Sequence, residues 1–149
     1  MTTYIHYGND TFSREQITKT VKERNPYRTD KPAGLWASPV DTDLGWKNYC
    51  EREEYKTETL SSSFKFKLRK GARVLHIHSL EDAEEYLLVK DKSEYNAWYE
   101  LDLEKIYFNF DAMEVTMSDD WMNLHDNNVF YNWDVDSICV WNPYVVIPA

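Results

Sequence analysis

Gly34-Leu35-Trp36-Ala37-Ser38, running on through Trp46 and Tyr49 to Cys50, is the stretch on which the fold turns. A glycine ahead of a short apolar run predicts a strand over 34–37. Beyond it, Leu44, Trp46, Tyr49 and Cys50 can share one broad apolar face, which predicts a helix over 43–53. Two distant segments carry polar groups beside similar apolar runs: Tyr4-Ile5-His6-Tyr7-Gly8, and Trp133-Asp134-Val135-Asp136-Ser137-Ile138. One histidine, an aromatic wall and an acidic pair together suit a flat, positively charged ring carried on a ribose.

With 149 residues and 42% apolar composition, the chain can bury one real core but not two comfortable ones, so 1–149 reads as a single domain. No apolar run is long enough to span a bilayer, and the first residues lack the apolar segment of a signal peptide. A cytoplasmic protein, of its own cell or of a host, is the expectation. Cys50 and Cys139 are too few for a cysteine framework or a cysteine-rich zinc site, and two separate thiols are expected. Seventeen basic against 26 acidic side chains leave a net charge of −9, which disfavours direct nucleic-acid binding and favours a basic protein as partner. Lys65, Lys67, Arg69, Lys70 and Arg73 are a local exception. Their alternation with Phe64, Phe66 and Leu68 marks a strand with a solvated face, although a phosphate-bearing ligand could meet the same side chains.

Outward from the opening stretch, 4–7 reads as a strand closed by a turn at Gly8-Asn9-Asp10. Ser13 stands three residues before Gln16, so a capped helix is predicted over 14–24, ended at Asn25-Pro26, with 27–33 as a loop. After a polar connection over 56–62, strands over 64–68 and 73–77 are joined around Lys70-Gly71 in what reads as a hairpin. Ser79 caps a predicted helix over 80–89. A helix over 101–108, a strand over 112–117, a short helix over 119–127 and a strand over 138–141 follow, with Pro143 and Pro148 closing regular structure. Strands separated by helices, with an antiparallel pair, predict an α+β domain: a compact split sheet, mixed or antiparallel, with flanking helices.

The four glycines, Gly8, Gly34, Gly45 and Gly71, make neither a dinucleotide fingerprint nor a P-loop. His76 and His78 share one strand face, but no third ligand stands at a convincing spacing, and no metal site is expected. His125-Asp126 has no recognisable nucleophile beside it.

The segment from Gly34 to Cys50 resembles the glycine-hydrophobe-aromatic-small motif and following aromatic helix of ADP-ribosyltransferases, particularly the poly(ADP-ribose) polymerase and diphtheria-toxin branch. Tyr4-Ile5-His6-Tyr7-Gly8 is similar to that family's first-strand motif. Asp134-Val135-Asp136 before Ser137-Ile138-Cys139-Val140 resembles its acid-x-acid entry to the last catalytic strand. The three occur in the family's order. Tyr7 stands where the family usually has glycine, Trp36 where tyrosine is common, and Asp136 where glutamate dominates.

The resemblance implies an ADP-ribosyltransferase-like fold and NAD as donor substrate, with transfer of ADP-ribose to a macromolecular acceptor and release of nicotinamide. It implies that Asp136, with Asp134 beside it, stabilises the ribose cation, and that His6 holds a ribose hydroxyl. Tyr7, Trp36, Ser38, Trp46 and Tyr49 would enclose the nicotinamide end. Stand-alone domains this small in the family look like toxins or counter-defence effectors. Read by residue type alone, His6 could be a satisfied structural histidine, Trp36 and Trp46 core anchors, and the two aspartates turn residues. A non-catalytic acidic inhibitor or binding protein for a basic partner, including one bound to nucleic acid, is the second reading, and a hydrolase using Asp134 and Asp136 as an acid/base pair a third.

Overall fold

Strands buried on both faces shape the centre of the molecule. In the computed structural model, which describes residues 1–25, 31–91, 98–126 and 129–149, strands β1 (Tyr4–Tyr7), β2 (Leu35–Pro39), β3 (Ser63–Leu68), β4 (Val74–Ile77), β7 (Ala112–Val115), β8 (Ser137–Val140) and β9 (Val146–Pro148) form one seven-stranded sheet. Its order is β4-β7-β8-β2-β1-β3-β9, parallel between β4 and β7 and antiparallel at every other pairing. Strands β7 and β8 are buried at every position. Along β8, Ile138 and Val140 join a core with Tyr4, Ile17, Leu35 and Phe66, whereas Cys139 joins a second core with Ile77, Met113, Phe130 and Trp133. Neighbouring side chains on a strand point to opposite faces, so the middle of the sheet is covered on both sides.

Strands β5 (Leu87–Asp91) and β6 (Trp98–Leu101) make a separate antiparallel pair. The helices are α1 (Arg14–Lys22), α2 (Trp46–Glu53), α3 (Leu103–Asn109) and α4 (Trp121–His125), with 3₁₀ turns at Thr57–Ser61, Leu80–Tyr86, Met117–Asp119 and Pro143–Val145. The Ser13 hydroxyl accepts from the Gln16 amide at 3.2 Å, and α1 buries Ile17. The α+β expectation agrees with this architecture. Cys50 and Cys139 are buried and unpaired with each other, as two separate thiols.

Several local expectations are corrected. Strands β3 and β4 do not form a hairpin: β3 lies between β1 and β9, and β4 is carried to the opposite edge beside β7. Gly71 does turn the chain, with φ +89°, but Arg69 N–H donates to Val145 O, which commits the end of β3 to the β9 side. The helix expected over 80–89 is a 3₁₀ segment with a complete Ser79–Asp82 capping box, and strand β5 begins at Leu87. Residues 98–101 are strand, so the next helix begins only at Leu103, with Asp102 capping it through Lys105 N–H. Pro143 does not end regular structure, since a 3₁₀ turn begins there and strand β9 follows, and the last strand residue is Pro148. Pro148 pairs with Phe66 on an edge strand, where a missing amide costs least. Pro26 of the expected helix end, positions 27–30 of the expected loop, and Asn127 of the short helix lie outside the described residues.

Candidate functional site

The three segments singled out in the sequence are neighbours in the sheet, because β8, β2 and β1 are adjacent in that order. Ile5 faces Ser38 across β1–β2, and Trp36 faces Cys139 across β2–β8. Beside them opens a cavity of about 760 Å³ whose wall includes His6, Tyr7, Trp36, Ser38, Trp46 and Asp134. That volume lies in the range of small-molecule and nucleotide sites. The close approach that seals this wall depends on Gly34, where a Cβ would stand 2.3 Å from Val140 O.

His6 Nδ1 lies 2.6 Å from the Trp36 carbonyl. A carbonyl only accepts, so Nδ1 carries the hydrogen and Nε2 presents a lone pair, with the Asn9 side-chain amide 3.4 Å away. Burial pushes the His6 pKa below its ordinary value, outweighing the opposite pull of the Trp36 carbonyl. The ring is therefore neutral near pH 7, and Nε2 can accept from a ligand hydroxyl. Tyr7 stays a neutral phenol, its pKa raised by burial and by Glu51.

Trp36 and Trp133 meet with centroids 5.0 Å apart at 59°, forming a corner of two π faces. Lys31 Nζ stands 5.5 Å from the Trp36 ring and 5.9 Å from the Trp133 ring, so a cation already occupies that corner. Trp46 is stacked on Tyr49 at 5.7 Å and meets Tyr55 edge-on at 6.1 Å. Tyr49 is not on the cavity wall but stands behind Trp46. Ser38 is 2% exposed, and its hydroxyl accepts the Trp46 amide at 3.1 Å. The N-cap of α2 is Gly45, which has no side chain to cap with, so Ser38 satisfies that helix start from the neighbouring strand.

The two aspartates part company. Asp134 faces the cavity with its side chain 41% exposed and His125 Nε2 3.6 Å from its carboxylate. Asp136, expected to stabilise the ribose cation, is 3% exposed and is not on the cavity wall. Its carboxylate accepts from Thr42 Oγ1 at 2.6 Å, Ser118 N at 2.8 Å and Ser118 Oγ at 2.7 Å, and its amide donates to Leu44 O at 2.8 Å. The acid/base pair that a hydrolase would need does not form on one face, since only Asp134 is on the cavity wall. Residues 134–136 precede β8, where strand alternation does not apply.

Trp133, Lys31, Tyr107 and Arg24 also line the cavity and were not among the site residues expected from the sequence. The Tyr107 hydroxyl accepts from Ala33 N–H at 3.0 Å, and Arg24 lies 4.6 Å over the Tyr107 ring while bonding Glu104 at 2.7 Å. Trp133, immediately before Asp134, was the one of these with a signal in the sequence. His76 and His78 bond Glu114 and Asp119, at 3.0 and 2.6 Å. Among the described residues no group of three or more His, Cys, Asp and Glu side chains could hold a metal ion. Nor is any helix among them long and apolar enough to cross a membrane. Comparison of the chain with family models, curated proteins and solved structures gives no match.

Proposed function

We propose that the protein is an ADP-ribosyltransferase-like domain that takes NAD as donor substrate and transfers ADP-ribose to a macromolecular acceptor, most suitably a basic protein. The observation that carries this reading is the convergence of His6, Trp36 and Asp134, from three separate parts of the chain, on one cavity. A cation-holding corner of Trp36 and Trp133 suits the pyridinium ring, and the neutral His6 Nε2 suits a ribose hydroxyl.

In the reaction the glycosidic bond between the ribose C1′ and the pyridinium nitrogen breaks, its electron pair leaving with neutral nicotinamide. Positive charge builds on the ribose, the acceptor nucleophile bonds to C1′, and the acceptor's proton passes to solvent. A carboxylate fixed beside the ring stabilises that charge more than the ground state. Asp134 is assigned this role, because it is the member of the acidic pair that faces the cavity. Asp136 has a structural part instead, tying the start of β8 to Thr42, Leu44 and Ser118.

The test is incubation with NAD, following nicotinamide release and a mass increase on basic proteins. Asp134→Asn is expected to lower turnover about 100-fold, the order of one electrostatic transition-state contact. If the unaltered protein neither binds NAD by calorimetry nor releases nicotinamide, the reading is wrong. A stoichiometric complex with a basic protein that needs no NAD would replace it with the acidic binding-protein reading.

A further inference from the structure

Between β7 and β8 the chain presents an aromatic surface that the donor site does not use. Trp121 on α4 is stacked on His125 with centroids 4.4 Å apart at 13°, and His125 meets Tyr131 at 5.5 Å and 35°. Tyr131 is 63% exposed and Met122 72%, with Trp121 at 38%. This run of rings reaches the cavity through one link, since His125 lies 3.6 Å from Asp134, which is itself on the cavity wall.

Along this part of the chain the sequence carries charge of one sign. From Ile106 to Ala149 the sequence contains seven Asp and Glu side chains and no Lys or Arg. Asp119, Asp120 and Asp126 border α4, and Asp134 closes the far end. Flat π faces framed by carboxylates attract a planar, weakly hydrated cation more than a compact, strongly hydrated one. They repel phosphate.

We propose that Trp121, His125 and Tyr131, with their acidic border, form a docking surface for an arginine-bearing segment of a partner protein. The guanidinium would stack on the exposed rings while the carboxylates accept its N–H groups. The functional meaning of this surface rests on the transfer reading: a segment held there lies beside Asp134, which is on the cavity wall. The binding itself does not need NAD.

The experiment measures, without NAD, the affinity of the full chain for an arginine-rich peptide, for the same peptide with lysine at every arginine, and for a single-stranded RNA of equal length. The arginine peptide is expected to bind most tightly, and Tyr131→Ala to weaken it about ten-fold, with Tyr131→Phe unchanged. Tyr131 is exposed and, among the described residues, His125 is the one aromatic ring it meets, so its removal leaves the fold intact, which thermal denaturation checks. Asp126→Lys, which leaves the rings in place, is expected to weaken binding by a similar factor. Equal binding of the lysine peptide, preference for RNA, or indifference to both Tyr131→Ala and Asp126→Lys overturns the proposal. Nicotinamide release from NAD, measured on the same Tyr131→Ala protein, separates the two readings: it stays unchanged if the donor reading holds, and its absence from the unaltered protein as well counts against that reading alone.

Discussion

Replacing Asp136 separates a structural carboxylate from a reacting one. Asp136→Ala removes the acceptor for three donors, Thr42 Oγ1, Ser118 N and Ser118 Oγ, within a 3%-exposed site. A hydrogen bond to a charged group contributes about 1.5–3 kcal/mol, but these three share one carboxylate, and the two hydroxyls can turn to other partners once it is gone. The sum therefore falls well short of three independent bonds, at about 3 kcal/mol. For a chain of this length each kcal/mol moves the midpoint by about 2–4 °C, so Tm is expected to fall about 6–12 °C. Asp136→Asn, which keeps one acceptor oxygen, is expected to cost about half as much. Thermal denaturation by circular dichroism gives the first quantity. Nicotinamide release well below the lowered Tm gives the second, and it is expected to remain within about three-fold of the unaltered protein, a difference of under 1 kcal/mol in the barrier. An Asp136→Asn protein with unchanged Tm and activity reduced 100-fold or more would show that this carboxylate reaches the substrate, and the division of roles between the aspartates would be reversed.

Gly34→Ala is expected to lower stability by about 1–3 kcal/mol in urea denaturation, because the new methyl would meet Val140 O at 2.3 Å and force β2 and β8 apart. Lys31→Met removes the cation over Trp36 and Trp133 and is expected to tighten binding of 1-methylnicotinamide, a pyridinium without phosphate, about three-fold by calorimetry; weaker binding would mean that Lys31 helps to build the corner rather than competes for it. The His76 pKa is raised, chiefly by its hydrogen bond to Glu114, so the native protein holds that proton more tightly than the unfolded chain. Its contribution to stability is fully present below the ordinary value of 6.5 and is lost as pH rises through the raised native value. Denaturation midpoints taken from pH 5.5 to 8.5 should therefore decline across that interval, and the decline should be shallower in His76→Gln.

The parts of the fold legible in the sequence were those governed by near neighbours. Ser13 announced α1 through a bond to the Gln16 amide three residues away, and the alternation around Phe66 announced β3. Strand partners are a different matter. The five residues from Arg69 to Arg73 were compatible with a hairpin, and only the non-local pairings of β3 with β9 and β4 with β7 exclude it. Residues 87–89 read as helix because Ser79 caps a helical turn and nothing in Leu87-Leu88-Val89 shows that an antiparallel partner waits at Tyr99-Glu100-Leu101. At the site, His6, Trp36 and Trp46 were identifiable as residue types at suitable positions. Which aspartate faces the cavity was not, since Asp134 and Asp136 are distinguished by the hydroxyls of Thr42 and Ser118, far away in sequence. Lys31 and Tyr107 carried no local signal because what brings them to the cavity is tertiary packing.

Edge strand β9 also bears on how copies of the molecule behave toward one another. Pro148 offers no amide to an incoming ladder, and at the same margin Ala149 N–H is already turned inward to the Lys65 carbonyl. A second copy seeking to continue the sheet there would find one rung absent and the next already spent, which favours dispersal over stacking into fibres when the protein is concentrated.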